Sequence, residues 1–194
     1  MVHQVKLKIL LLLKTKTMKH KGLLIYITCL MLAICDYTYA HDFEVDNIYY
    51  KIISKADKTC KVTNNSGKEN SYSGNVTIPE IITYDNEEYS VTEIDNYAFK
   101  NCIKLKTVNL PSSIIKMGNF CFNGCLLLSS FSVPENLEIL PSNCFNGCIS
   151  LEKIELNKIK KISSFCFKGC SSIEEIKIPA SVTEIGDNDV LVIN

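Results

Sequence analysis

From Val91 onward the chain repeats itself every 22 or 23 residues, and this period restricts the possible folds more than any other feature. Four units begin at Val91, Ile114, Leu137 and Ile159, and a broken fifth begins at Val182. Their central words align as Tyr97-Ala98-Phe99-Lys100-Asn101-Cys102, Phe120-Cys121-Phe122-Asn123-Gly124-Cys125, Asn143-Cys144-Phe145-Asn146-Gly147-Cys148 and Phe165-Cys166-Phe167-Lys168-Gly169-Cys170. A fixed period of this length is the signature of a solenoid, in which each unit buries its apolar face against its neighbours. Solenoids present long, regular surfaces and seldom build the enclosed pocket that catalysis needs.

The columns of the repeat carry the local structure. Each unit ends on words such as Leu105-Lys106-Thr107-Val108-Asn109-Leu110-Pro111 and Ile173-Glu174-Glu175-Ile176-Lys177-Ile178-Pro179. Alternation of Val108 and Leu110 with Thr107 and Asn109 is the period of a strand with one buried face. Pro111, Pro134 and Pro179 stop that strand because proline donates nothing to a ladder, and Asn157 takes this column in the third unit. Opening words such as Val91-Thr92-Glu93-Ile94 predict a second short strand. The Ala-Phe-x-x-Cys word between them predicts one helical turn. Ala98, Cys121, Cys144 and Cys166 share a column that accepts only small apolar side chains. Asn101, Gly124, Gly147 and Gly169 share another, the mark of a left-handed backbone. Phe99, Phe122, Phe145 and Phe167 predict a ring stack through the core.

The combined pattern, Val-Thr-x-Ile-x-x-x-Ala-Phe-x-x-Cys-x-x-Leu-x-x-Val-x-Leu-Pro, resembles the BspA-like leucine-rich repeat family of bacterial and protist surface proteins. The match is close over residues 91–185. Phe43 to Tyr50, Asn75-Val76-Thr77-Ile78-Pro79 and Tyr89-Ser90-Val91-Thr92 are similar to that family's N-terminal cap. The fold expected is a β-rich leucine-rich-repeat solenoid, an α/β horseshoe-like right-handed superhelix. Each unit would give two short strands and one helical turn, behind a β cap over residues 41–90. In the cap, Asp85-Asn86 would join two strands, and Asn64 to Ser71 reads as a polar loop. The resemblance implies a secreted or surface-displayed binding solenoid, adhesin-like in some members, with no catalytic residues to carry over.

The N-terminus reads as a leader over residues 1–40. Met18-Lys19-His20-Lys21 is basic, Gly22 to Cys35 is apolar and too short to span a bilayer comfortably, and Thr38-Tyr39-Ala40 offers a cleavage site. Met18 is the expected start, with an uncleaved anchor or a lipid on Cys35 as alternatives. Taking the leader's six Lys and one Asp from 21 Lys and 21 acids leaves 15 and 20, a net of −5, with no Arg anywhere. That balance argues against nucleic acid. The expected place is outside the cell or on its surface.

Eight cysteines remain after cleavage, six of them in the pairs Cys121/Cys125, Cys144/Cys148 and Cys166/Cys170. They read as buried thiols packed like small hydrophobes, with disulfides between stacked units, such as Cys125 to Cys148, as the alternative. Neither the spacing nor a histidine in the solenoid supports zinc. The histidines are His3, His20 and His41, so no catalytic, metal or cofactor site is expected. Asn64-Asn65-Ser66 and Asn75-Val76-Thr77 are glycosylation sequons.

The candidate binding surface is the outward face of the main sheet: Thr107, Asn109, Ser130 and Ser132, followed by Lys153, Glu155, Glu175 and Lys177. The last four predict a charge ladder, Lys153 beside Glu175 and Glu155 beside Lys177. Ile115 and Ile139, read as outward positions of the shorter strand, and Leu127 add exposed aliphatics to the candidate surface. The reading is an exported, non-enzymatic repeat protein with an extracellular protein or glycan ligand. The alternative is a truncated fragment of a longer surface protein. Residues 187–194 are expected to leave the repeat geometry, because Asp189 and Val190 break its columns, and to promote self-association at that end.

Overall fold

The computed structural model describes residues 41–65 and 71–187. The leader and residues 188–194, on which the readings of cleavage, anchoring and a frayed tail fall, lie outside the described residues.

The N-terminal part is built from hairpins. Strands β1 (Phe43–Val45) and β2 (Ile48–Ser54) pair antiparallel, and β2 pairs in the same sense with β3 (Thr59–Thr63). After β4 (Gly74–Thr77), strands β5 (Ile81–Tyr84) and β6 (Glu87–Ile94) form a second hairpin. Both hairpins turn on the same dipeptide. Asp46-Asn47 has φ of 50° and 62°, and Asp85-Asn86 has 54° and 60°. Two successive left-handed residues make the turn whose twist matches the flanking strands, and Asn and Asp enter that region at low cost. The sheet order is β1-β2-β3-β6-β5. Phe43 stacks on Tyr84 with ring centroids 4.0 Å apart, bringing the two ends of the sheet together.

Strand β6 joins the two architectures. It runs antiparallel to β5 and parallel to both β3 and β8 (Lys116–Met117). From there the chain coils. The main ladder is β4 beside β7 (Leu105–Asn109), then β9 (Ser130–Ser132) beside β11 (Lys153–Glu155), all parallel. The shorter ladder continues through β10 (Ile139–Leu140), β12 (Lys161–Ile162) and β13 (Glu184–Ile185). Its pairings, Glu93 with Lys116 and Ile139 with Lys161 with Glu184, follow the columns of the repeat. Strand β4 adds a rung upstream of Val91, placing Asn75 opposite Thr107 and Thr77 opposite Asn109.

The expected helical turn does not form; among the described residues there is no helix. The aromatic-cysteine word instead makes a second kind of ladder. Alternate amides reach across to the next unit: Tyr97 to Asn119, Phe99 to Cys121 (2.7 Å) and Asn101 to Asn123 (2.8 Å). The amides between them close local turns, Lys100 to Tyr97 and Cys102 to Phe99. Two left-handed positions per unit enforce this path. One is the anticipated Asn101, Gly124, Gly147, Gly169 column. The other is Tyr97, Phe120, Asn143 and Phe165, with φ between 57° and 62°. A helix needs consecutive right-handed residues, so these positions exclude one.

The core follows the columns. Phe99, Phe122, Phe145 and Phe167 stack at 4.8, 5.6 and 5.7 Å with nearly parallel planes. Tyr72 caps the stack 4.5 Å from Phe99, and Phe131 meets Phe122 and Phe145 edge-on. One expectation fails at the far end. Residues 173–178 form no strand beside β11, and no salt bridge among the described residues joins Lys153 to Glu175 or Glu155 to Lys177. Without a strand there, no register holds the charges opposite one another. The ion pairs sit instead on or near the shorter ladder: Lys116–Glu93, Lys160–Glu138 and Lys161–Glu184.

Candidate functional site

Alternation along β7 and β9 turns Val108 and Phe131 inward and leaves Thr107, Asn109, Ser130 and Ser132 on the outer face. The parallel register then aligns these side chains into two rails. Asn75, Thr107, Ser130 and Lys153 form one; Thr77, Asn109, Ser132 and Glu155 form the other. Neighbouring rungs are tied together. Thr107 Oγ1 donates to Asn75 Oδ1 at 3.0 Å, Asn109 Nδ2 to Thr77 Oγ1 at 3.4 Å, and Ser132 Oγ to Glu155 Oε2 at 2.9 Å. Hydrogen bonds of this kind hold short polar side chains in place at little entropic cost, because Ser, Thr and Asn have few rotamers to lose.

The rungs on β7, β9 and β11 floor an open groove of about 660 Å³, whose sides include Ser112, Glu135 and Asn157. Asn157 Nδ2 donates to the Val133 carbonyl, filling in its unit the place where proline ends the strand elsewhere. The groove is polar with one charge of each sign on its last rung, Lys153 and Glu155. It offers hydroxyl and amide groups, with Lys153, Glu135 and Glu155, to a ligand.

The three aliphatic candidates lie away from this groove. Ile115, Leu127 and Ile139 are 60, 48 and 50 % exposed. Ile139 is in β10, whereas Ile115 falls one residue before β8, where its amide donates to the Thr92 carbonyl. Leu127 belongs to a feature that the column analysis passed over: Ile103, Leu126 and Ile149 each follow the second cysteine of their unit and are all exposed.

No disulfide joins the eight described cysteines, seven of which are buried and one, Cys170, partly exposed. The second cysteine of each pair has a specific bond. Cys125, Cys148 and Cys170 donate to the carbonyls of Phe99, Phe122 and Phe145 in the preceding unit at 3.0 to 3.1 Å. The first-cysteine column packs sulfur on sulfur, with Cys121 and Cys144 3.4 Å apart. Burial pushes the Cys60 thiol up to about 12 and the Cys102 thiol up to about 11. Cys144 is held well above the ordinary range, first by burial and then by bonds to Cys121 and Cys166. Thiols so far from ionisation are structural and unreactive.

A model of BspA type leucine rich repeat regions matches residues 68–189, in six copies. The chain belongs to this family. The family's fold also appears in solved structures. A leucine-rich repeat protein from Bacteroides ovatus is 34% identical over 76% of this chain, with a TM-score of 0.69. The T. pallidum leucine rich repeat protein is 28% identical over 74% of it, with a TM-score of 0.63. The pneumococcal vaccine antigen PcpA, at 22% identity over 77% of the chain and a TM-score of 0.56, shares the fold. The chain spans 38% of the B. ovatus protein, 64% of the T. pallidum protein and 47% of PcpA. A search of curated proteins finds no match.

Within this BspA-type solenoid the first rung of the rails, Asn75 and Thr77, was assigned to the cap on sequence. Its signal was present: Asn75-Val76-Thr77-Ile78-Pro79 has the same alternation and terminal proline as Thr107-Val108-Asn109-Leu110-Pro111. The family match likewise begins upstream of Val91, at residue 68.

Proposed function

We propose that this BspA-type repeat protein is exported and displayed at or beyond the cell surface, where it binds an extracellular protein or glycan without catalysing a reaction. The observation that carries the reading is the groove of about 660 Å³ over β7, β9 and β11, floored by two hydrogen-bonded rails of hydroxyl, amide and charged side chains. Such a floor suits a ligand that brings its own donors and acceptors, because short polar groups held in register satisfy them without reorganisation. The leader-like residues 1–40 support the placement outside the cell.

The test is an array of extracellular matrix proteins and glycans probed with the purified protein, alongside S130Y and S132Y variants. These positions are exposed, so the tyrosines block the groove without entering the core. The expected result is a ligand whose affinity falls at least about tenfold, or ~1.4 kcal/mol, in both variants. Binding that is indifferent to both substitutions would move the site off this face.

A further inference from the structure

A second cleft lies at the other side of β4. It has a volume of about 550 Å³ and runs between the β1–β2 turn at Asp46 and Asn47 and the segment from Ser71 to Thr77. One of its two walls is the edge of a strand. Among the described residues, strand β4 pairs with β7 and with no other strand. The Gly74 amide donates to the Lys104 carbonyl and the Ile78 amide to the Asn109 carbonyl. In a parallel ladder, alternate residues direct both main-chain groups to the same side. Gly74, Val76 and Ile78 therefore face β7, and Asn75 and Thr77 direct their amides and carbonyls toward the cleft. An uncovered edge of this kind is a template for another strand.

The second observation comes from the opposite wall. Tyr50 lines the cleft and is fully buried, and its hydroxyl has no hydrogen-bond partner among the described residues. A buried hydroxyl left unpaired is destabilising by roughly 1–3 kcal/mol. The neighbouring Tyr72 hydroxyl, by contrast, donates to the Thr63 carbonyl and accepts from the Tyr49 amide. Asp46 is the charged residue among the described residues that line the cleft.

We infer that this cleft accepts an extended polypeptide strand from a partner, which pairs with the open edge of β4 and presents an acceptor to Tyr50 and a cationic side chain to Asp46. An extended peptide is the occupant that fits because the edge offers main-chain donors and acceptors at strand spacing, which only another main chain matches along its length. The added strand would lengthen the main sheet by one rung at its N-terminal side. This site is separate from the groove over β7 and β9 and stands whether or not that groove binds a ligand.

The probes are an acetylated Thr-Val-Thr-Val-Thr-Lys hexapeptide and its Glu-terminated counterpart, titrated into the purified protein and followed through the Asn75 and Thr77 amide resonances. The Lys peptide is expected to give saturable shifts at both amides and to bind more tightly than the Glu peptide. Thr77→Pro removes an amide that β7 does not use, and should weaken binding about tenfold, close to the loss of one main-chain hydrogen bond. Tyr50→Phe should weaken the peptide while leaving the free protein at least as stable, since it deletes an unpaired hydroxyl. S130Y should leave peptide affinity unchanged. Three results would overturn the inference: no saturable shift at Asn75 and Thr77 with either peptide, equal affinity in T77P, or a lower melting temperature for Y50F, which would show that the hydroxyl is already satisfied.

Discussion

The cap and the coils solve the same problem with opposite means. In residues 41–94 the antiparallel strands are placed by local turns beside the next strand in the chain, while β4 pairs with β7 of the first coil. Two Asp-Asn dipeptides set the hairpins, and the packed side chains differ at every position: Phe43, Tyr50, Cys60, Val62, Tyr89. In the coils no hairpin exists. Each residue packs on its own equivalent one unit away, so phenylalanine lies on phenylalanine and thiol on thiol. The cap therefore stands on individual turns, and the coils stand on columns. A substitution in the cap has one local environment to disturb; one in a column disturbs a unit on each side.

The largest expected effect that separates the two regions is alkaline. Seven of the eight described cysteines belong to the coils and one, Cys60, to the cap. Cys102 and Cys60 ionise only above the range of an unfolded thiol, near 11 and near 12, and Cys125 and Cys144 are raised as well. With a raised folded pKa, the stabilisation is complete below the unfolded pKa of about 8.5 and is lost as pH climbs through the folded values. Each thiol that stays protonated lowers stability by about 1.4 kcal/mol per pH unit in that window. Circular dichroism between pH 8 and 11 should show the coils unfolding, and replacing Cys102 and Cys144 by Ala should shift the transition to higher pH. A transition insensitive to both replacements would show that the buried thiols do not set it.

Next in size is the ring stack. Phe122→Ala, in the middle of the column, should lower stability by about 3–5 kcal/mol in chemical denaturation, whereas a loss below about 1 kcal/mol would mean that the units pack independently. A smaller effect belongs to the glycine column. Gly147 has φ of 77° and the nearest atoms to an added Cβ are 3.8 Å away, so Gly147→Ala meets backbone strain alone, about 1–2 kcal/mol. The smallest is in the cap. Asn86→Gly at a left-handed turn position should change stability by no more than a few tenths of a kcal/mol; a loss beyond 1 kcal/mol would reveal an uncharted contact of the Asn86 side chain.

The sequence was most legible where a column repeats. The Phe stack, the left-handed Asn101 and Gly column, both ladders and the Asp85-Asn86 turn follow from residues whose chemistry admits one role. The missing helix was harder to read. Tyr97, Phe120 and Phe165 occupy left-handed positions that aromatic residues rarely take, and only Asn143 in that column gave a hint. The rails at Thr107, Asn109, Ser130 and Ser132 follow from strand alternation, but their first rung is hidden because the β5–β6 hairpin comes between Asn75 and the repeats that it joins. The failed charge ladder shows the limit of column logic, which locates a residue only while a strand carries the column.

The spacing of the bonds between units has a consequence for how the chain assembles. The side-chain bonds that tie one coil to another close segments of 22 to 26 residues, from Ser113 to Val91 at one end to Ser181 and Ile159 at the other. The closures differ by only a few residues, and the entropy lost in closing a loop grows only with the logarithm of its length. Once the cap and first coil exist, each further coil meets nearly the same barrier. Folding time should then rise in small, equal steps as units are added, rather than steeply with total length. A series of chains lengthened by whole 23-residue units, refolded in stopped flow, would show this as evenly spaced rates, and insertion of a single residue within a coil would arrest the growth at that point.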